Sequence, residues 1–283
     1  MATNVEKDSV TGTDTTGHEW DGIKELNTPL PKWWLIVFWV TVIWSLVYYI
    51  VYPAFPGWEG IWKYTARKDV AKQLEAVQAD RAIWLDKLAA ASLEDIRKDG
   101  DLLEFAMAGG RAAFADNCAP CHGSGGAGGT GYPNLLDDDW IWGGTLENIQ
   151  TTITHGIRWE QDDDTRVSDM PRFGLDEMLD QSQIDEVADY VLSLSGGGES
   201  SGAGAEIFAE NCAACHGASG EGNAEFGAPR LSDAIWLYGG DKATVVETIT
   251  KARGGVMPAW GGRLDEVTVK QLAVYVHSLG GGQ

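Results

Sequence analysis

The sequence predicts a mainly α chain: one N-terminal transmembrane helix, a helical connector and two tandem copies of a small helical domain. Three observations predict it. Residues 33–52 are an apolar run with no Asp, Glu, Lys, Arg or His. Residues 63–91 are rich in Ala, Lys, Glu, Gln and Leu, which are strong helix formers. Beyond residue 100 one pattern of motifs runs twice, in the same order. The segments divide as 1–31, 32–53, 54–100, 101–195 and 196–283.

Residues 1–17 are polar and have no apolar period, which predicts a mobile tail. No secretory-signal pattern is expected here, because a basic start and a small-residue cleavage site are both missing. The apolar run from Trp33 to Tyr52 follows. At 1.5 Å per residue it spans roughly 30 Å, the thickness of the hydrocarbon layer. Pro29 and Pro31 stand before it, and Pro53 and Pro56 close it. Trp33, Trp34, Tyr48, Tyr49 and Tyr52 lie near its ends, where interfacial aromatics gather. Thr41, Ser45, Tyr48 and Tyr52 recur at helical spacing, a hydroxyl stripe that a partner helix could face. In the connector, Val70, Leu74, Val77, Trp84, Leu85 and Leu88 form an approximate apolar stripe, interrupted by Arg81.

The repeat is visible by eye. Phe114-Ala115-Asp116-Asn117-Cys118 matches Phe208-Ala209-Glu210-Asn211-Cys212. Pro133-Asn134-Leu135 matches Pro229-Arg230-Leu231, and Asp137, Trp140, Gly143 and Gly144 match Asp233, Trp236, Gly239 and Gly240. Met170-Pro171 matches Met257-Pro258, and each copy closes with an amphipathic helix near 187–194 and 272–279. Gly196, Gly197 and Gly198 with Ser200 and Ser201 form a flexible joint.

Each copy carries Cys-x-x-Cys-His: Cys118, Cys121, His122 and Cys212, Cys215, His216. The spacing suits covalent attachment of a haem c. Two thiols add to two vinyl groups at one porphyrin edge, and the adjacent imidazole reaches the iron. Zinc would need other ligand combinations, and a redox dithiol has no use for the His. All four cysteines are consumed, so two covalently bound haems c are expected. Met170 and Met257 are the candidate sixth ligands, since thioether ligation raises the potential and suits electron transfer. His155, whose counterpart is Lys251, stays open as the alternative to Met170.

The formal charge of −21 excludes nucleic acid as a partner and favours a basic protein. Asp137, Asp138 and Asp139 form one acidic cluster. Glu160 with Asp162, Asp163 and Asp164 forms another, in an insertion: His to Met is 48 positions in the first copy (122 to 170) and 41 in the second (216 to 257). These clusters are candidate docking sites for a basic donor. Covalent haem attachment places the repeats outside the cytoplasm. The basic residues Lys63, Arg67, Lys68 and Lys72 after the anchor argue the reverse by the positive-inside rule. The chemical requirement outweighs the statistical bias, so the N-terminus is expected in the cytoplasm and the haem domains in the periplasm.

The order of helix, Cys-x-x-Cys-His, loop, helix, Met-Pro and terminal helix resembles the cytochrome c fold, in which the first and last helices cross. The fold class is thus one transmembrane anchor, a connector and two tandem cytochrome c domains. The stretch from His18 to Trp34, with Trp20-Asp21-Gly22-Ile23 and Pro29-Leu30-Pro31-Lys32-Trp33-Trp34, is similar to the segment before the membrane helix in the CcoP (FixP) subunits of cbb3-type oxidases. That resemblance implies a single-pass protein of a bacterial inner membrane. It would relay electrons from a donor cytochrome c or cytochrome bc complex, by way of a monohaem subunit, to a haem–copper catalytic subunit. No catalytic centre of its own is expected. A dihaem subunit of a periplasmic dehydrogenase is the alternative. A dihaem peroxidase, which needs an iron able to lose its sixth ligand, is disfavoured by the paired Met-Pro elements.

Overall fold

The structure is a computed structural model that describes all residues except 1–3, 198–200 and 283; Gly198 and Ser200 of the joint therefore lie outside the described residues. It contains two compact units, residues 1–78 and 79–283.

The first unit opens with an antiparallel hairpin of β1 (Thr15–Trp20) and β2 (Ile23–Leu26), where the stretch 1–17, of which 1–3 lie outside the described residues, was expected to be mobile. Asp21 and Gly22 make the turn with φ of 51° and 85°. Two central residues at positive φ suit the right-handed twist of paired strands, which is why Asp-Gly is a strong hairpin signal. Glu6 and Lys24 form an ion pair, and Lys7 bridges Asp14, so the polar stretch is tied to the hairpin. Polar composition concealed this, because a two-stranded hairpin needs turn chemistry more than an apolar face.

Among the described residues, helix α1 (Lys32–Val51) is the one candidate membrane span, with mean hydropathy 2.1 and none of it buried within the protein. The hydroxyls of Thr41 and Ser45 donate to the backbone carbonyls of Phe38 and Thr41, each at 2.8 Å. The polarity of these two is satisfied inside the helix, so they need no partner helix. The turn after α1 folds back on it. Ile61 and Trp62 donate to the carbonyls of Ile50 and Val51, which the helix end leaves unpaired. Gly60 passes so close that a Cβ there would lie 2.4 Å from the Val51 oxygen.

Helix α2 (Ala66–Ala90) follows. Only the end of its apolar stripe is buried: Leu88 is enclosed and Trp84 stacks on Phe105, whereas Val70, Leu74 and Val77 are exposed. Lys270 donates to the carbonyls of Ala89 and Ala91, a cation at a helix C-terminus.

The remaining helices are α3 (Leu93–Lys98), α4 (Gly100–Asn117), α5 (Ala119–His122), α6 (Leu146–His155), α7 (Gln181–Leu194), α8 (Gly202–Asn211), α9 (Ala213–His216), α10 (Lys242–Lys251) and α11 (Glu266–His277). The first and last helices do cross, but between repeats. Helix α4 of the first repeat packs against α11 of the second, and α8 of the second packs against α7 of the first. Two cores result. One joins Leu88, Leu93, Ile96, Phe114, Ile149 and Ile153 to Val269, Leu272, Val274 and Val276 of α11. The other joins Phe173, Ile184, Val187 and Val191 to Phe208, Val245 and Ile249.

Particular residues account for this exchange. The link between α7 and α8 is short, which favours their pairing as antiparallel neighbours. Val274 of α11 is buried at 2%, while its counterpart in α7, Asp189, is half-exposed and paired with Lys242 at 2.7 Å. Seated on α4, α7 would carry Asp189 into an apolar core. Gly109 leaves room for Gln271 of α11, since a Cβ there would lie 2.3 Å from the Gln271 amide nitrogen. Ala203 stands at the equivalent position of α8. Both crossings also need a second glycine: a Cβ on Gly110 would lie 2.3 Å from the Gln271 carbonyl, and one on Gly204 2.3 Å from that of Glu186.

Candidate functional site

Each Cys-x-x-Cys-His lies on a single tight turn of helix directly after α4 or α8. The amides of His122 and His216 bond back to the carbonyls of Cys118 and Cys212, at 2.9 and 3.0 Å. This coils both thiols and the imidazole onto one short segment. Cys118 and Cys212 are half-buried; Cys121 and Cys215 are exposed. Burial pushes the Cys118 and Cys212 thiols up to about 11. Such sulfurs are poor thiolates, which disfavours a zinc site or an active dithiol. A thioether carries no charge, so the same burial costs an attached sulfur nothing.

The two histidines are held alike. His122 Nδ1 is 3.0 Å from the Pro133 carbonyl and His216 Nδ1 is 2.9 Å from the Pro229 carbonyl. A carbonyl only accepts, so Nδ1 carries the hydrogen and Nε2 keeps its lone pair. Desolvation lowers both imidazole pKa values, which favours the neutral ring. A neutral imidazole with its second nitrogen anchored is the form that binds iron. The residues present therefore fit a haem c in each pocket.

The methionines follow the exchanged helices. Met257 packs against the first core alongside Cys118, Ala119 and Leu135, while Met170 packs against the second alongside Cys212, Ala213 and Leu231. The Met257 segment is also stitched to the first repeat. Ile157 donates to the Met257 carbonyl at 2.9 Å, and Met257 donates to the Ile157 carbonyl at 3.0 Å. Each Cys-x-x-Cys-His thus packs on the same core as the Met of the other repeat. His155 ends α6, and its Nδ1 is 3.1 Å from Asp162 in the insertion.

Sequence reasoning missed the seam between the pockets. Trp142 lies against Gly227, where a Cβ would be 2.2 Å from the indole, and Tyr238, the counterpart of Trp142, lies against Gly131, the counterpart of Gly227. Gly131 donates to the Leu237 carbonyl at 2.8 Å. These glycines precede by two residues the prolines that hold the histidines. Asp139 and Asp137 face Asp233 and Arg230 across the same seam. Desolvation, then Asp233, pushes the Asp139 carboxyl up to about 6.

Two family models match the chain. The N-terminal domain of cytochrome oxidase-cbb3, FixP, matches residues 12–59. Cytochrome C oxidase, cbb3-type, subunit III, matches twice, at residues 105–191 and 200–276. The chain belongs to the FixP/CcoP family of cbb3-type cytochrome c oxidase subunits. Among its relatives, the FixP subunit of a Bradyrhizobium species is 55% identical and the alignment covers the whole of both chains. That of Azorhizobium caulinodans is 56% identical over 98% of this chain and 96% of its own. The CcoP subunit of Cereibacter sphaeroides is 52% identical over 95% of each. The FixP N-terminal match takes in the hairpin and α1, and the double match follows the two repeats.

Proposed function

We propose that this FixP/CcoP chain is a membrane-anchored electron relay in a cbb3-type oxidase. It accepts electrons from a basic donor cytochrome c or a cytochrome bc complex. It hands them to a monohaem cytochrome c subunit and the haem–copper catalytic subunit. Two haems c are bound, one through Cys118 and Cys121 and one through Cys212 and Cys215. The iron ligands are His122 with Met257 and His216 with Met170, so each haem is shared by both repeats. The observation that carries this reading is the gathering, in each core, of a Cys-x-x-Cys-His with an anchored imidazole and the other repeat's methionine. When bound, the haems supply the one-electron couple. The protein's part is to fix the porphyrin edge through two sulfurs, to orient the imidazole through a proline carbonyl and to exclude water with the apolar core. With an imidazole and a thioether both supplied by the chain, a bound haem would offer no open position to oxygen or peroxide, which suits a relay.

The haem domains lie in the periplasm and the β-hairpin in the cytoplasm, with α1 in contact with lipid. Of the acidic clusters, Glu160, Asp163, Asp164 and Asp138 are exposed and free to meet a basic donor. Asp162 is engaged by His155, and Asp139 is half-buried in the seam.

The test is haem counting. Pyridine haemochrome on denatured protein should find two covalent haems per chain, and Cys118→Ala with Cys121→Ala should leave one. Two haems retained after that change would sink the assignment.

A further inference from the structure

An arginine stands four residues before each methionine: Arg166 before Met170 and Arg253 before Met257. Both guanidinium groups lie over the aromatic ring of the seam. Arg166 is 5.4 Å from the Trp142 centroid and Arg253 is 4.5 Å from that of Tyr238. Both also reach the backbone at equivalent points, Arg166 to the Asn148 carbonyl at 3.4 Å and Arg253 to the Thr244 carbonyl at 2.8 Å.

There the equivalence ends. Arg253 pairs with Glu247 at 3.3 Å, and its Nε donates to Thr248 Oγ1 at 3.1 Å. In the first repeat Thr151 stands where Glu247 stands in the second. Among the described residues Arg166 pairs with no carboxylate. It donates to Asn148 Oδ1 at 3.2 Å, and its Nε is buried with no hydrogen-bond partner. Burial pulls its pKa down. The side chain is half-buried, and the part of a guanidinium that leaves water needs a counter-ion or acceptors of its own. Asn148 serves one end of the fork, and the polypeptide offers Nε no acceptor and the charge no carboxylate, which leaves a place for an anion from outside it.

The location limits which anion. Arg166 donates to the Gly156 carbonyl at the end of α6, and its side chain rests on Asn148 of the same helix. Helix α6 belongs to the core that holds Cys118 and Met257. The group that this pocket is built to hold carries two carboxylates of its own, the haem propionates. A planar fork of N–H donors matches a carboxylate.

We infer that Arg166 is the anchor for a propionate of the haem attached at Cys118 and Cys121. Arg253, already neutralised by Glu247, offers the second haem no equivalent unpaired cation. Reduction adds negative charge to a haem, so a fixed cation beside it favours the reduced state and raises its potential. The two haems share one ligand set, and Arg166 sets the first above the potential it would otherwise have. This inference rests on the pocket assignment made under Proposed function.

The test uses the full chain purified from membranes, with the c-haem potentials read by spectroelectrochemical titration. Met257→His and Met170→His identify which wave belongs to which pocket. Arg166→Gln should move the wave that responds to Met257→His to lower potential and leave the other in place. Arg166→Lys should fall between Gln and the native residue. Thr151→Glu should lower the same wave. It copies into the first repeat an arrangement the second repeat already carries, at an exposed position. Arg253→Gln should move its own wave less. Unmoved waves in both Arg166→Gln and Thr151→Glu, with two covalent haems present, would overturn the inference. So would movement of the Met170 wave, or a shift seen only in the assembled oxidase, which would assign the anion to a partner subunit. A haem count below two in native protein, or no response to Met257→His, would instead strike the underlying pocket assignment.

Discussion

Ending the chain at Ser195 removes the second repeat and leaves the first one complete in sequence. If each repeat folded alone, this fragment would keep a six-coordinate haem and its stability. The structure leads to the opposite expectation, because α4 loses α11. From α11 the first core loses Val269, Leu272, Val274 and Val276, each no more than 5% exposed. At about 1.5–3 kcal/mol for each buried Val or Leu, the loss is about 6–12 kcal/mol. Total stabilities run to about 5–15 kcal/mol, so the pocket cannot survive it. Helix α7 is a poor substitute. It would set Asp189 where Val274 sits, and an unpaired carboxylate in an apolar core costs several kcal/mol. Haem attachment at Cys118 and Cys121 should persist, since it needs only the local turn. The ferrous fragment should be high-spin, bind carbon monoxide and be cut readily by protease. In the full chain, Val274→Asp should weaken the same pocket and spare the other. A fragment with a low-spin, Met-ligated haem and resistance to protease would refute the interlaced arrangement.

Three further expectations concern single sites. Gly110→Ala and Gly204→Ala should each cost about 1–3 kcal/mol in thermal or chemical unfolding, because the added carbon meets backbone rather than a mobile side chain; an unchanged midpoint would contradict close crossing at α4–α11 and α7–α8. Asp139, raised to about 6 in the folded protein, binds its proton more tightly there than in the unfolded chain, so its contribution to stability falls as pH rises from about 4 to about 6. The shift corresponds to ~3 kcal/mol for a fully buried group and, with this carboxyl half-exposed, to about 1 kcal/mol; Asp139→Asn should recover that at pH 7, and an equal gain at pH 4 would show the cause is not its charge. Changing Asp163 and Asp164 to Asn should slow reduction by a basic cytochrome c at low salt and flatten the salt dependence, with stopped-flow rates at two ionic strengths as the check.

Much of the site was legible because its chemistry is local. Cys118, Cys121 and His122 must share one helical turn for two thioethers and an imidazole to meet one haem, and that demand is written as spacing. The anchor was legible for a similar reason: a twenty-residue, largely apolar run without a charge leaves few alternatives. The hairpin could have been read from Asp21-Gly22 and was obscured by polar composition. Arg166 and Arg253 could have been found as arginines four residues before each Met. Their difference could not, since it depends on how the longer segment of the first repeat carries Arg166 back onto α6, at Asn148, where no carboxylate meets it.

The sequence by itself determined the motifs, the repeat and the membrane helix, because each depends on residues near one another in the chain. Only the tertiary structure decided which helix closes which pocket. The repeats share one apolar pattern, so α7 and α11 both satisfy α4 as far as periodicity goes. The choice rests on long-range contacts: Val274 against Asp189, Gly109 against Ala203, and the short link that pairs α7 with α8. That choice carries Met257 to the core of Cys118 and Met170 to the core of Cys212.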